Sequence, residues 1–353
     1  MDKEMSTNDF DKSIFIIGGT GFLGENLVRY FNQKGYRITS ISLPNERQKQ
    51  VLEDEPNVIH ILKDFNDISD SEMVRYMNGH KYMVIALGTD ELKSTTFPSL
   101  DFFRKYYLHN TTNLLRLASL SDIKKSVVMG SYYSYFDRIW PEEKLAENHP
   151  YIKSRVEQKV ASLRYNSSGF EVVLLEIPYV FGTIPEKSPI KSMLDNQLKN
   201  KKSVYFPKGG TAAITQYQIA QAVEGAFLYG EGGKAYPIAG TNVKWKAFLA
   251  HLISLQGRSF DVLKPVSRWR QSRELKKRMK LLKKSQMDAG INLVKFAKFQ
   301  DKKAYINPQE CMSELGIEKD DIKNAVRKTL FVYNLKLRAL SGKSNKIVLE
   351  RKR

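Results

Sequence analysis

The stretch from Ser13 to Gly24, SIFIIGGTGFLG, limits what this chain can fold into more than any other part of it. Ile14, Phe15, Ile16 and Ile17 form a short apolar run, the pattern of a strand buried on both faces. Gly18, Gly21 and Gly24 follow, and Gly19 adds an overlapping G-x-G-x-x-G register. An amphipathic helix comes next, with Leu23, Leu27, Tyr30 and Phe31 on one side. Glycine is needed where the turn is tight, because a β-carbon would keep a pyrophosphate away from the backbone. The helix start offers that phosphate unbonded N–H groups and a partial positive charge. Strand, glycines and helix in this order predict a nucleotide-binding βαβ unit, with Gly18, Gly19, Thr20, Gly21, Phe22, Leu23 and Gly24 around the diphosphate.

The same alternation continues. Arg37–Leu43, Asn57–Leu62, Tyr82–Leu87, Lys125–Met129 and Phe170–Ile177 read as strands, and Leu100–Leu120 and Tyr151–Arg164 as helices between them. This predicts an α/β fold with a Rossmann-type, doubly wound parallel sheet. Two strands end on polar or small residues where ligands bind in such sheets: Lys63-Asp64-Phe65 and Leu87-Gly88-Thr89. The position that selects the cofactor falls near Leu43, where NAD-binding chains carry an acid and this one does not. Ser40, Ser42 and Arg47 suit the 2′-phosphate of NADP, so the balance between NADP and NAD tips to NADP.

Beyond Gly182 prolines and Gly209-Gly210 loosen the pattern, and helical periodicity returns over Gln216–Leu228, Trp245–Leu255 and Asp320–Leu340. The expected division is a cofactor domain over 1–182, a smaller, mostly helical C-terminal substrate lobe over 183–342 with possible return segments to the sheet, and a basic tail over 343–353. No apolar run approaches the ~20 residues that span a bilayer. The polar, acidic start resembles no secretory signal, and Cys311 stands alone, which fits a reducing cytoplasm. The five histidines lack ligand spacing, so no metal site is expected.

The chemistry gathers after Met129. Ser131 ends one strand segment, and Tyr151 opens a helix with Arg155 four residues on, which puts phenol and cation on one face. A nearby positive charge favours phenolate and brings the tyrosine pKa from about 10 toward working pH. The serine hydroxyl would hydrogen-bond the reacting oxygen while the tyrosine moves the proton.

With GGTGFLG, Ser131 and the Tyr151 helix in view, the chain resembles the extended or atypical short-chain dehydrogenase/reductases, the NAD-dependent epimerase/dehydratase family. Leu174–Gly182 (LLEIPYVFG) resembles that family's segment past the nicotinamide, which brings in Pro178. Gly240-Thr241-Asn242 and Ile306-Asn307-Pro308 resemble its second-lobe patterns. The resemblance implies that Gly18, Gly21 and Gly24 hold the pyrophosphate, that Asp64 and Phe65 border the adenine, that Leu87 and Gly88 line the cofactor, and that Ser131 and Tyr151 are the active-site pair. It departs at three places: Arg155 replaces the family's lysine, Tyr107 its asparagine, and Glu176 a frequent arginine. Lysine is a compact point donor and arginine a planar fork, so the first change alters geometry. Lys153 faces elsewhere on the helix, and Lys159, two turns along, is expected to lie too far to substitute.

The formal net charge is +19, which favours anionic partners. Much of it lies over 264–284, a basic amphipathic helix with a seam of Leu275, Met279 and Leu282. The plainer reading is a solvated helix whose seam packs on the second lobe, with nucleic acid or a membrane surface as open alternatives. The expected partners are a small, anionic, hydroxyl- or carbonyl-bearing substrate, with a nucleotide-sugar as one candidate, and optionally a second copy of the chain. The alternative function is a non-catalytic dinucleotide-binding sensor or assembly protein.

Overall fold

Four large apolar side chains in a row belong in the middle of a sheet covered on both faces. Ile14, Phe15, Ile16 and Ile17 take that place, all essentially inaccessible to water. The fold is that of a computed structural model, which describes residues 10–44, 55–88, 94–182 and 202–340, the side chains of 332–340 excepted. The strands in chain order are β1 (Ser13–Ile17), β2 (Arg37–Ser42), β3 (Val58–Leu62), β4 (Tyr82–Ile85), β5 (Ser94–Thr96), β6 (Lys125–Met129), β7 (Glu171–Glu176), β8 (Tyr179–Phe181), β9 (Val204–Phe206), β10 (Gly210–Thr215), β11 (Ala235–Pro237), β12 (Thr241–Lys244), β13 (Leu263–Pro265), β14 (Met287–Ala289) and β15 (Lys303–Ala304).

Seven of them form one sheet in the order β11-β7-β6-β4-β1-β2-β3. Every neighbouring pair is parallel, with Ile16 opposite Ser40 on one side of β1 and Val84 on the other. The chain moves outward from β1 to β3 and then returns across β1 to β4. That reversal opens a crevice at the carboxyl ends of β1 and β4, where ligands bind in such sheets. The predicted doubly wound sheet is therefore borne out.

One face of the sheet is covered by the helices Gly24–Gln33 and Gln216–Leu228, which bury Leu27, Val28 and Phe31 with Ile219, Val223 and Phe227. Phe227 also stacks on Tyr82 of β4, ring centroids 4.3 Å apart. The other face is covered by Asp70–Met77 and Asn110–Ala118, through Met73, Met77, Leu114 and Leu115. Residues past 182 thus return twice, as β11 and as the helix Gln216–Leu228. The latter starts where expected because Thr215 and Gln218 form a reciprocal capping box.

Two differences from the sequence reading matter. The long helix after Leu100 is not uniform: Ser99–Phe103 is α, Arg104–His109 is a π turn, and Asn110–Ala118 is α again. The C-terminal region also carries strands among its helices: β8 and β10 pair in parallel, β10 adds β12 and β15, and β9 pairs β13. The first residues of 264–284 belong to β13, so the basic helix begins at Arg268. The segment 183–201 and the tail 343–353 lie outside the described residues.

Candidate active site

The glycine turn closes as its composition requires. Gly18 has φ +87°, a conformation that a β-carbon disfavours. Its N–H donates to the Ile41 carbonyl at 2.8 Å, and the Gly21 N–H donates to the Gly18 carbonyl at 2.9 Å. A β-carbon on Gly24 would strike that same Gly18 oxygen, so the following helix starts with its backbone directly against the turn. Gly19 lies against the Ser40 hydroxyl, and the Thr20 N–H donates to Ser42 Oγ at 3.0 Å. Phe22 and Leu23 pack on the core, and the Phe22 carbonyl accepts from the Gln216 side chain.

The two β2 serines are therefore turned inward, Ser40 fully buried and Ser42 bonded to the loop. They brace the glycine turn from below instead of facing a ribose phosphate. Leu43, at the strand's end, is exposed, and its chain neighbours Ser42 and Pro44 are not acids. Arg47, the remaining member of the set read from sequence, lies outside the described residues.

At the ends of β3 and β4, Asp64 caps a short 3-10 turn by accepting from the Asn66 N–H at 2.9 Å. Phe65 and Leu87 pack against the core below. The π turn brings Tyr106 here, its hydroxyl donating to the Gly88 carbonyl at 3.1 Å. Burial, and then the charge of Asp64, raise the Tyr106 pKa, which keeps this phenol protonated. Asp64, Phe65, Leu87 and Gly88 are thus gathered on the carboxyl edge with the glycine turn, and Pro178 is buried just past β7.

Ser131 follows β6 and is buried, its Oγ 3.5 Å from the Tyr133 N–H. The helix Pro150–Leu163 presents Tyr151 and Arg155 to the same neighbour, Tyr107. The Tyr151 ring meets Tyr107, Phe103 and Tyr133 edge-on, with centroids 5.7, 5.5 and 6.3 Å away. The Arg155 guanidinium lies over the Tyr107 ring at 4.1 Å, a cation–π contact. Its Nη2 donates to the Met129 carbonyl at 2.7 Å. Its Nε and Nη1 are buried and have no hydrogen-bond partner among the described residues. Lys153 is exposed, as expected.

Three contributors complete the site: Lys159 and Tyr107, named from the sequence without these contacts, and one segment that sequence reasoning missed. Lys159 does not reach toward Tyr151; its Nζ pairs with Glu176 Oε1 at 3.0 Å and donates to the Ser134 carbonyl at 3.1 Å. Ser134 Oγ lies 2.6 Å from the same carboxylate oxygen and 2.7 Å from the Ser131 carbonyl, so the pair braces the Ser131 loop. A lone acid inside an apolar strand announces that some partner exists. Tyr107 is the second, delivered by the π turn. The third is the segment after β14: the Gly290 carbonyl accepts the Tyr151 N–H at 2.7 Å, and the Asn292 N–H donates to His149 Nδ1 at 3.0 Å. His149 is buried, and that burial, helped by Lys295, pushes its pKa down to about 4. It is therefore a neutral acceptor at the start of the tyrosine helix.

The arrangement offers a phenol and a cation on one helix face, both against the Tyr107 ring, with a buried serine following β6 and a glycine turn following β1. Among the described residues no three His, Cys, Asp or Glu side chains come together as a metal site. None of the described helices is long and apolar enough to cross a membrane.

Known structures share this architecture. The protein gox2253 aligns with a TM-score of 0.74 at 15% identity, over 93% of this chain and 99% of its own. PA4631, a nucleoside-diphosphate-sugar epimerase from Pseudomonas aeruginosa, aligns with a TM-score of 0.69 at 13% identity, over 92% of this chain and 98% of its own. DesIV, a dTDP-glucose 4,6-dehydratase from Streptomyces venezuelae with NAD bound, aligns with a TM-score of 0.65 at 15% identity, over 93% and 98%. At these identities the likeness speaks for the fold alone. Among curated proteins none matches the sequence. The family model described as NAD dependent epimerase/dehydratase matches residues 14–215, more than half of the chain. The resemblance read from the glycine motif and the tyrosine helix is thus borne out, and the chain belongs to the NAD-dependent epimerase/dehydratase family.

Proposed function

We propose that the protein is an NAD(P)-dependent enzyme of the epimerase/dehydratase type, acting on an anionic, hydroxyl- or carbonyl-bearing substrate such as a nucleoside-diphosphate sugar. The observation that carries this is Arg155: a buried cation with two guanidinium nitrogens that find no partner among the described residues is costly unless an acceptor arrives. A dinucleotide ribose supplies such acceptors, and the glycine cradle, closed to β-carbons at Gly24, suits its diphosphate. The bound dinucleotide would supply hydride acceptance and return. Gly18 to Gly24 would hold the diphosphate, Asp64 and Phe65 would border the adenine, and Leu87, Gly88 and Pro178 would line its course.

In this reading Tyr151 moves the proton of the reacting hydroxyl and Ser131 hydrogen-bonds the same oxygen. Arg155 holds ribose oxygens and adds positive charge near Tyr151, with the Tyr107 ring in contact with both. The aromatic ring cluster excludes water, which strengthens each polar contact. The family membership and the names of the structural relatives, an NAD-bound dehydratase and a nucleoside-diphosphate-sugar epimerase, support the substrate class. NADP is proposed over NAD on the missing acid after β2 and on Arg47. The cofactor half over 1–182, the substrate half over 183–342 and a cytoplasmic setting belong to the same proposal.

Calorimetry with NAD and NADP tests the first step, and binding of neither would end the reading. Tyr151→Phe tests the second: turnover falls by roughly 10²–10⁴-fold while dinucleotide affinity holds. A non-catalytic dinucleotide-binding protein is favoured by one observation, the commitment of Arg155 Nη2 to Met129. Under that reading Tyr151→Phe leaves both binding and cellular output intact.

A further inference from the structure

The helix Arg268–Lys284 plays no part in the site above, yet it carries the densest charge of the molecule. At 100° per residue its positions divide into two arcs. Leu275, Met279 and Leu282 fall on the inner arc and are half-buried, where the helix packs on β14 and on the helix Leu293–Phe299. Arg270, Arg273, Lys276, Lys277, Lys280 and Lys284 fall on the outer arc and are all exposed. Glu274 is the one acid in the helix. Arg268, at the inner edge, pairs with Asp301; the six outer cations form no ion pair among the described residues.

A stripe of like charges three and four residues apart works against the helix that carries it. It becomes favourable when an opposing charged surface lies along it. The helix has 17 residues and so runs for about 25 Å, which calls for an extended surface along it. Two apolar side chains flank the stripe in water: Trp269 is 70% exposed and Leu281 is 63% exposed. Trp269 is held by the Arg273 guanidinium, 5.7 Å from its ring. A polyanion in solution has no use for Leu281. The headgroup layer of a bilayer accepts all three elements, since lipid phosphates pair with the cations while an indole and a leucine enter the interface.

We propose that the outer face of this helix docks the protein on an anionic membrane surface. Docking is peripheral, and it does not depend on the catalytic reading. The cations provide most of the attraction, Trp269 and Leu281 anchor the two ends, and the inner seam stays on the protein.

The full chain is mixed with vesicles of phosphatidylcholine, alone or with a third phosphatidylglycerol, and sedimented. The expected result is cosedimentation with the anionic vesicles only, weakening as salt rises from about 0.1 M to about 0.5 M, with a blue shift of tryptophan emission. The fourfold variant Lys276→Gln, Lys277→Gln, Lys280→Gln, Lys284→Gln lowers vesicle partitioning by roughly 100-fold or more. The double variant Trp269→Ser, Leu281→Ser lowers it by roughly tenfold and abolishes the shift. Unchanged melting and dinucleotide affinity identify both variants as folded. Equal binding to neutral vesicles, no binding to anionic ones, or full binding by the fourfold variant overturns the proposal. So does single-stranded RNA that binds this face at a salt where the anionic vesicles do not.

Discussion

Arginine at position 155 answers two demands with one planar group. Nη2 closes the Met129 carbonyl at the end of β6, and the other two nitrogens are left for an incoming acceptor. Lysine has one nitrogen on a flexible stem, so Arg155→Lys cannot keep both. The variant is expected to lose about 1–2 kcal/mol of unfolding free energy by urea titration. Dinucleotide affinity should fall less than tenfold, because the charge remains. Gly24 has a purely steric role, with the Gly18 oxygen in the space of its missing side chain. Gly24→Ala must push the helix start off the turn, and calorimetry should find dinucleotide binding weakened at least tenfold while the melting temperature drops by several degrees.

Among the elements, the tyrosine helix depends most on groups that are distant in sequence. Its start rests on neutral His149, and nearer its C-terminal end Lys159 braces it against Glu176. Breaking that buried pair in Lys159→Met leaves the Glu176 carboxylate in the core without its cation, held by Ser134 alone among the described residues, and should cost about 3–5 kcal/mol. Adding Glu176→Leu should restore most of it, as a double-mutant cycle will measure. His149 and His80 are both held down to about 4 from the ordinary 6.5, mainly by burial, with Lys295 and Arg37 as the respective nearby charges. The unfolded chain therefore binds protons more readily than the folded one between those values. Their contribution is whole above about pH 6.5, is lost as pH falls, and is exhausted near pH 4. Urea midpoints should drop from about pH 7 to about pH 4.5, with a slope approaching 1.4 kcal/mol per pH unit for each histidine; His149→Asn flattens it.

The same helix shows what a sequence can and cannot tell. Tyr151 and Arg155 on one face follow from a spacing of four, and the helix Gln216–Leu228 from its periodicity. The π turn left no trace, because one extra residue between Phe103 and Asn110 barely disturbs apolar spacing while rotating Tyr106 and Tyr107 into the crevice. Strands such as β9, β13 and β14 have three residues each, too few for an alternation to register. Glu176 signalled a buried partner, but only the packing of helix on sheet chose Lys159. The β2 serines were legible as polar residues near a ligand edge, and the fold used them one layer deeper.

At the scale of the whole molecule, the sheet cannot be completed by the first half of the chain. Phe227 stacks on Tyr82, the Tyr30 hydroxyl donates to Glu224 at 2.6 Å, and β11 pairs with β7. A fragment ending at residue 182 would expose Leu27, Phe31 and Tyr82 together with an unpaired β7 edge. It is expected to show no cooperative melting and to aggregate, whereas the full chain melts in a single transition by calorimetry.

Biosynthesis meets the same geometry in order of time. When the ribosome has made the segment carrying Tyr151, the carbonyl that takes its N–H, at Gly290, has yet to be translated. Phe296 and Phe299, which close over Tyr133, come later still. Until they emerge, a cluster of aromatic rings stands open on the nascent polypeptide, a natural target for chaperones. The candidate centre is therefore finished only after Gly290, Phe296 and Phe299 have left the exit tunnel, and a message truncated before codon 290 yields a protein in which the phenol has no settled place.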